Sequence, residues 1–285
     1  MTNLKQFFSD NYIIFDKSNF IENPSLELRL IISGILKLTP EKYLSIDKEK
    51  HIISDDELSN LDEAVKQRLS GKSIAEIVTV KEFYGENIFV NQNVLIPRPE
   101  TELLVESVIE FCKDGGRCSH ILDMCSGSGA ISIILDKYID KKTIYAFEYS
   151  DLAIDVINQN IAIHKSKDIS VIKGDIFQYS PELVFDIIVS NPPYIPSGDM
   201  VDLYKKFEVN DPKLALDGGI GGLDFYYELA RISAKSIDMR GVVFMEHGIG
   251  QSSDITKIFK HINSRYKFEY YKDMSSLERV IKVHL

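Results

Sequence analysis

The sequence has few cysteines, no excess of basic residues and no long apolar run. Its cysteines, Cys112, Cys118 and Cys125, form no C-x-x-C pair, so neither a disulfide framework nor a zinc site is indicated. No apolar run approaches the roughly 18 residues that a membrane-spanning helix needs. Charged residues also interrupt the N-terminus before the apolar stretch of a signal peptide can form. We therefore expect a cytoplasmic protein with reduced thiols and no membrane partner.

Basic residues are outnumbered by acidic ones. The chain has 33 basic and 43 acidic side chains, which gives a formal charge of −10. Proteins that grip nucleic-acid backbones need basic surfaces, so direct nucleic-acid binding is not expected. A length of 285 residues, with 44% hydrophobic and 27% charged residues, is typical of a soluble globular protein with two domains.

The first part of the chain differs in pattern from the rest. Apolar residues at three- and four-residue spacing predict helices within residues 1–82, one beginning at Pro24-Ser25 and one after Ser54. Two β-rich runs around Asn91-Gln92-Asn93 predict a β-hairpin linker over residues 83–97. We predict a small helical domain, then this linker, then an α/β domain over residues 98–285.

Strands and helices alternate in the α/β domain, which predicts a seven-stranded, doubly wound, mostly parallel sheet. The last two strands lack a helix between them and are predicted to form an antiparallel hairpin. The predicted strands are residues 120–124, 144–148, 169–173, 186–190, 242–246, 268–272 and 279–283. The predicted helices are residues 130–137, 152–164, 225–237 and 253–262.

A glycine-rich turn follows the first of these strands, with the sequence Cys125-Ser126-Gly127-Ser128-Gly129. Glycines let the backbone approach a ligand, and the N-terminus of the following helix carries a partial positive charge. The pattern indicates a nucleotide-type pocket, although a plain strand-to-helix turn has the same appearance. Glu148 ends the second strand, where a carboxylate can accept hydrogen bonds from both hydroxyls of a ribose. Asp175 and Ile176 follow the third strand and are candidates for the adenine pocket.

The fourth strand leads into Asn191-Pro192-Pro193-Tyr194. Neither proline has an N–H, and Pro193 forces Pro192 into an extended conformation, which leaves the Pro192 carbonyl free. This carbonyl and the Asn191 side-chain oxygen can hold both hydrogens of a planar –NH2 group, against which Tyr194 can pack. The nitrogen of such a group is a poor nucleophile, so the adenosine-bearing ligand must carry a strong electrophile. We therefore predict direct methyl transfer from S-adenosylmethionine. Positioning would supply most of the rate, without a strong general base.

Over nearly its whole length, the chain resembles the glutamine methyltransferases that modify peptide chain release factors. Its most family-specific motif is Pro97-Arg98-Pro99-Glu100-Thr101-Glu102, while N-P-P-Y is shared with amino-group methyltransferases. Supporting motifs lie at residues 82–85, 95–96, 125–129, 190–194, 216–223, 246–248 and 278–280. The resemblance implies a class I, Rossmann-like methyltransferase with a helical domain that helps to dock the substrate. It also implies a glutamine in a Gly-Gly-Gln motif as the methyl acceptor, S-adenosylhomocysteine as a product, and no metal.

The resemblance further implies a role for each site residue. Residues 125–129 would hold the methionine part of S-adenosylmethionine, Glu148 the ribose, and Asp175 with Ile176 the adenine. Asn191 and Pro192 would be catalytic by orienting the substrate amide, with Asn191 also bordering the cofactor. Pro193 and Tyr194 would complete the substrate pocket.

Three residues depart from the family pattern. Cys125 stands where glycine is usual, and its Cβ would crowd the cofactor if the backbone needs a positive φ. Glu148 replaces an aspartate and Ile176 replaces an aromatic residue, so we expect weaker cofactor binding than is typical of the family.

Several alternatives remain open from the sequence. The first is an amino-group methyltransferase acting on DNA or RNA bases, and the second is a cofactor-binding protein without catalytic activity. Arg98, Glu100 and Glu102 either close the active site or pin the hairpin. Glu246-His247 resembles an acid–base pair, but amide methylation needs neither group, so we interpret His247 as a hydrogen-bonded structural residue.

Overall fold

The computed structural model describes residues 2–207 and 211–285. The chain divides into two compact units, Met1–Val80 and Lys81–Leu285. Within the described residues, no helix combines the length and the apolar character that crossing a bilayer requires.

The first unit is helical, in agreement with the sequence prediction. Each helix begins after an Asn, Ser or Thr whose side chain accepts a hydrogen bond from a backbone amide of the first turn. The apolar faces meet in one core that includes Phe15, Leu28 and Leu61. The helices are α1 (Leu4–Asp16), α2 (Pro24–Ile35), α3 (Pro40–Ser45), α4 (Asp55–Leu69) and α5 (Ile74–Val78).

A β-hairpin follows, but the predicted residues are wrong. Strands β1 (Val80–Phe83) and β2 (Glu86–Phe89) pair across Tyr84 and Gly85, whose φ angles of 50° and 76° suit a tight hairpin turn. The Asn-rich segment forms a turn outside the hairpin, and residues 94–96 form no strand. The side chains of Val94 and Ile96 are buried, so their hydrophobicity reflects packing rather than pairing.

The second unit contains the predicted seven-stranded sheet, in the order β5-β4-β3-β6-β7-β9-β8. Strands β3 to β7 run parallel, and β9 is antiparallel to both β7 and β8, which confirms the predicted terminal hairpin. The strands are β3 (His120–Met124), β4 (Thr143–Glu148), β5 (Ile169–Lys173), β6 (Phe185–Ser190), β7 (Ile237–Glu246), β8 (Lys267–Lys272) and β9 (Glu278–His284). The helices are α6 (Glu100–Lys113), α7 (Ala130–Tyr138), α8 (Asp151–His164), α9 (Met200–Phe207), α10 (Asp224–Ser236) and α11 (Ser252–Ile262).

Helices α6 and α9 were not among the predicted elements. Helix α6 begins inside the Pro-Arg-Pro-Glu-Thr-Glu motif and buries Leu104, Val105 and Val108. It packs against β7 and so brings the motif to the sheet. In the central strands, Met124 pairs with Ser190, and Ser190 pairs with Met245. The residues that follow these three therefore lie together at the carboxyl edge of the sheet.

Candidate active site

Most of the predicted cofactor residues line one cavity of about 480 Å³ at this carboxyl edge. Its volume is typical of small-molecule sites. The predicted residues that line it are Cys125, Ser126, Gly127, Ser128, Glu148, Asp175, Ile176, Asn191 and Pro193. Strands β3, β4, β5 and β6 end here side by side, so the topology brings together residues that are distant in the chain.

The glycine loop presents backbone to the cavity. At Gly127, φ is 56° and no atom lies within 4 Å of the place a Cβ would occupy, so the cavity wall is open there. Gly129 has a φ of 77° and lies outside the cavity lining. A Cβ on Gly129 would lie 3.2 Å from the Ile157 side chain, so this glycine allows the loop to approach α8 closely.

Cys125 adopts the left-handed conformation that the sequence analysis treated as a possible conflict, with a φ of 61°. The residue lines the cavity and packs against the core of the sheet. Burial raises the pKa of its thiol well above the ordinary value, and the neighbouring Glu148 and Asp123 carboxylates raise it further. The thiol therefore stays protonated and is not an activated nucleophile.

Both carboxylate oxygens of Glu148 accept hydrogen bonds from backbone amides. Oε2 accepts from the Gly127 amide at 2.9 Å, and Oε1 accepts from the amides of Tyr149 at 2.8 Å and Ser150 at 2.9 Å. A carboxylate oxygen can accept more than one hydrogen bond, so Oε2 retains capacity for a ligand hydroxyl. Because Gly127 belongs to the glycine loop, Glu148 both shapes that loop and faces the cavity.

Asp175 and Ile176 form part of the cavity wall beyond β5. Asp175 Oδ1 accepts from the Phe177 amide at 3.0 Å, and Oδ2 accepts from Gln178 Nε2 at 2.9 Å, which fixes the carboxylate in the wall. Ile176 is buried beside it, and the Phe177 ring meets the Phe225 ring edge-to-face. Apolar walls of this kind suit a flat aromatic ring.

A second cavity of about 150 Å³ shares Asn191 with the first. Pro192 and Tyr194 line only this smaller space, whereas Pro193 lines only the larger one. The N-P-P-Y turn therefore borders both spaces, and Asn191 belongs to both.

The Asn191 amide has a defined orientation. Its Nδ2 donates to Thr101 Oγ1 at 3.0 Å, which leaves Oδ1 as an acceptor. Among the described residues, nothing donates to Oδ1 or to the Pro192 carbonyl. These are the two free acceptors that the sequence predicts for holding a planar –NH2 group.

The backbone of Tyr194 is held from two directions. Gln251 Nε2 donates to the Tyr194 carbonyl at 2.9 Å. A Cβ at Gly218 would lie 2.7 Å from the Pro193 carbonyl oxygen, and a Cβ at Gly222 would lie 2.1 Å from the Tyr194 carbonyl oxygen. These two glycines therefore allow residues 216–223 to pack directly on the backbone of the N-P-P-Y turn.

Two buried titratable groups follow one another at the end of β7. Glu246 is 2% exposed, and burial raises its pKa to about 7. One ring nitrogen of His247, Nδ1, lies 2.8 Å from the Gly248 carbonyl oxygen, while Nε2 has no partner within the described residues. The predicted hydrogen bonding of His247 thus holds for one nitrogen only. Burial lowers the pKa of this histidine.

Two residues of the Pro-Arg-Pro-Glu-Thr-Glu motif have different surroundings in the structure. Arg98 pairs with Asp211 and lines both cavities. Glu102 Oε1 accepts a hydrogen bond from the Tyr84 amide at 3.0 Å, which fixes the hairpin turn. The arginine therefore belongs to the site, and the glutamate pins the hairpin.

Sequence reasoning assigned no function to three residues that position the site. Thr101 belongs to the Pro-Arg-Pro-Glu-Thr-Glu motif, but the motif does not indicate its hydrogen bond with Asn191. Gln251 and Asn160 carry no sequence pattern. Asn160 Nδ2 donates to the carbonyls of Ser128 and Phe89, both at 2.9 Å, and thereby joins the glycine loop to β2.

Across residues 2–207 and 211–285, no cluster of three or more His, Cys, Asp or Glu side chains is arranged to hold a metal ion. The absence of a metal stays a prediction.

The parallel sheet, the cavity at its carboxyl edge and the two free acceptors define a Rossmann-like methyltransferase. In agreement, the family model described as "Methyltransferase small domain" matches residues 99–215. The catalytic domain of hMettl16 has the same fold, with a TM-score of 0.56 and 13% identity over 82% of each chain.

Curated relatives define the family more closely. The chain is 30% identical to the release factor glutamine methyltransferase of Thermodesulfovibrio yellowstonii over 90% of each chain. It is also 30% identical to the enzyme of the same name from Fusobacterium nucleatum, over 97% of this chain and 79% of that one. The chain belongs to the release factor glutamine methyltransferase family. This confirms the family and the enzyme class that the sequence predicted.

Proposed function

We propose that this enzyme transfers a methyl group from S-adenosylmethionine to the side-chain amide nitrogen of the glutamine in a release factor Gly-Gly-Gln motif. The observation that carries the proposal is the position of Asn191, which lines both cavities and keeps Oδ1 free. The larger cavity would hold the methyl donor, and the smaller one the glutamine side chain. The products are S-adenosylhomocysteine and a methylated release factor, formed in the cytoplasm without a metal ion.

The residues around the larger cavity fit S-adenosylmethionine. Residues 125–129 would hold the methionine part, with Gly127 leaving the cavity wall open, and Glu148 has acceptor capacity for the ribose hydroxyls. Asp175 and Ile176 would line the adenine pocket. When bound, S-adenosylmethionine supplies a methyl group on a positively charged sulfur.

The chain's own contribution is to orient the glutamine amide. Asn191 Oδ1 and the Pro192 carbonyl would each accept one hydrogen of the –NH2 group, which aims its nitrogen towards the larger cavity. Tyr194 would confine the same planar group within the smaller cavity, and Pro193 would complete the substrate pocket from the side of the larger cavity. The nitrogen becomes acidic only as its new bond to carbon forms, so its proton can leave to water without a strong base. Fixing the amide in this geometry would provide most of the acceleration.

A release factor fits the site better than a nucleic acid does. The net charge of −10 would repel a phosphate backbone, and the helical unit would serve to dock a protein substrate.

The test is to incubate the enzyme with a radiolabelled methyl donor and, in parallel, a release factor, the same factor with its Gly-Gly-Gln glutamine replaced, DNA and RNA. We expect label only on the unmodified release factor, on the side-chain amide of that glutamine. Label on nucleic acid and none on the release factor would overturn the proposal. Binding of S-adenosylhomocysteine without any transfer would instead favour a non-catalytic binding protein.

Gln251 provides a prediction about the N-P-P-Y turn. Its Nε2 donates to the Tyr194 carbonyl, and its Oε1 accepts from the Gly248 amide at 2.8 Å. Gln251→Glu keeps the acceptor but loses the donor, so we expect turnover to fall about tenfold as Tyr194 loosens. The cofactor affinity should stay within about twofold, because Gln251 does not line the larger cavity. Unchanged turnover would contradict a positioning role for Gln251.

A further inference from the structure

Glu246 is a buried carboxyl group beside the N-P-P-Y turn that the proposed reaction does not use. Strands β6 and β7 pair in register up to Ser190 and Met245, so the next residues, Asn191 and Glu246, are neighbours at the sheet edge. Thr101 on α6 reaches the same place, because its Oγ1 accepts the hydrogen bond from Asn191 Nδ2. Three elements therefore converge on one small polar cluster.

The hydrogen bonds of this cluster have a direction. Thr101 Oγ1 accepts from Asn191, so the Thr101 hydroxyl hydrogen is free to be donated elsewhere. The Glu246 carboxylate lies close enough to the Thr101 hydroxyl and the Asn191 amide for hydrogen bonding from both side chains to lower its pKa. An ionised carboxylate accepts hydrogen bonds and donates none. With such an acceptor at its end, the chain of hydrogen bonds must run from Asn191 through Thr101 to Glu246.

The burial of Glu246 indicates that its carboxylate has a role as a hydrogen-bond acceptor for this cluster. The residue is 2% exposed, and its Oε2 has no hydrogen-bond partner among the described residues. Burying a carboxylate that is only partly hydrogen-bonded is unfavourable for folding. The Tyr226 hydroxyl donates to the Glu246 backbone carbonyl at 2.8 Å, not to the carboxylate. Packing alone would therefore be served better by a neutral side chain.

We propose that Glu246 and Thr101 are positioning residues for methyl transfer: the ionised carboxylate draws the Asn191 –NH2 inward and so keeps Oδ1 turned towards the substrate. Without this hydrogen bonding, the Asn191 amide could turn either its oxygen or its –NH2 towards the substrate. An –NH2 facing the glutamine –NH2 would place two donors against each other. The inference rests on the proposed function, because it needs Asn191 to accept a hydrogen bond from the glutamine amide.

Protonation of Glu246 would let the hydrogen bonds between Asn191, Thr101 and Glu246 reverse, because a carboxylic acid can donate to Thr101 or to Asn191 Oδ1. The pKa of Glu246 is raised to about 7, mainly by burial and in smaller part by Glu100 on α6. Thr101 and Asn191, through hydrogen bonds, and Arg279 on β9, through its charge, lower this pKa. Tyr194 and Tyr226 also face this carboxylate and stay neutral, because burial raises the pKa of both phenols. The ionised form is present above about pH 7. Turnover should therefore fall as the pH is lowered through this value.

The experiment compares wild-type enzyme with Glu246→Gln, Thr101→Val and Thr101→Ser, using an unmethylated release factor as substrate. We expect Glu246→Gln and Thr101→Val to lower kcat about 10- to 100-fold, with the Kd of S-adenosylhomocysteine within about twofold. Thr101→Ser keeps the hydroxyl and should restore most of the turnover. Glu246→Gln should also lose the decline of kcat/KM below pH 7 that the wild-type enzyme shows.

Thermal unfolding separates positioning from a purely structural role. The melting temperature of Glu246→Gln at pH 8 should equal or exceed that of wild type, because a buried charge is removed. The positioning role would be overturned if both Glu246→Gln and Thr101→Val kept the wild-type kcat, or if kcat/KM of Glu246→Gln still declined below pH 7. Either result would leave the proposed function intact. If Glu246→Gln fails to fold, the comparison of Thr101→Val with Thr101→Ser tests the positioning role: equal kcat in these two variants would overturn it. Absence of transfer to release factor by the wild-type enzyme would overturn the proposed function together with this inference.

Discussion

Asn191→Ala is expected to reduce turnover on the release factor by about 10²- to 10³-fold, a loss typical of removing a group that stabilises the reacting geometry. The substitution deletes Oδ1, one of the two free acceptors, and it also deletes the Nδ2 donor to Thr101. The glutamine amide would then rotate in the smaller cavity, and few of its orientations would aim nitrogen at the methyl donor. The measurement is single-turnover methyl transfer at saturating substrate.

The cofactor should still bind to this variant. Asn191 is one of many residues that line the larger cavity, and the glycine loop and Glu148 are untouched. We expect the Kd of S-adenosylhomocysteine, measured by calorimetry, to change less than about threefold. Asn158→Ala, at an exposed position on α8, is a matched control that should leave both quantities unchanged. Equal losses in turnover and cofactor affinity would show that Asn191 acts mainly on the cofactor.

Glu148→Gln is expected to have its main effect on cofactor binding. The amide has one oxygen in place of two, so it cannot accept from Gly127 as well as from Tyr149 and Ser150. A hydrogen bond to a charged group contributes about 1.5–3 kcal/mol, so we expect the Kd of S-adenosylhomocysteine to rise about 10- to 150-fold. Calorimetric titration measures this directly.

The control for Glu148→Gln is Glu110→Gln, which changes an exposed glutamate on α6 in the same way. It should bind the ligand like wild type. With saturating methyl donor, Glu148→Gln should recover much of its turnover, because the acceptors for the glutamine amide are intact. A normal Kd would mean that the ribose is not bound through this carboxylate.

The α/β architecture was predictable because each buried strand is a short apolar run bounded by turn residues. Strands β3 and β6 are almost wholly buried, and their sequences show it. The hairpin was not placed correctly, because Asn91-Gln92-Asn93 has turn composition, whereas the true turn has Tyr84 at a positive φ. Tyrosine is uncommon in that conformation, so composition points to the wrong turn. Helix α6 was missed because its first turn overlaps a proline-containing motif.

The site was predictable where one strand end carries its own chemistry, as at Glu148 and Asn191. Their partners were not predictable, because these depend on packing between distant parts of the chain. The Asn191–Thr101 bond requires α6 to lie against the sheet, and the Gln251–Tyr194 bond requires two loops to meet. Neither arrangement leaves a local pattern in the sequence. Backbone conformation at Cys125 likewise became known only from the structure.

The two glycines packed against the N-P-P-Y backbone limit how this sequence can drift during evolution. Any side chain at Gly218 or Gly222 would collide with main-chain atoms of Pro193 or Tyr194, which cannot rotate away as a side chain would. Substitution there would be rejected by selection even though neither residue lines the two cavities of the candidate site. Saturation mutagenesis scored by enzyme activity should therefore find positions 218 and 222 about as intolerant as Asn191 itself. Intolerance to substitution in this protein thus extends beyond the cavity lining to glycines that touch the backbone of one turn.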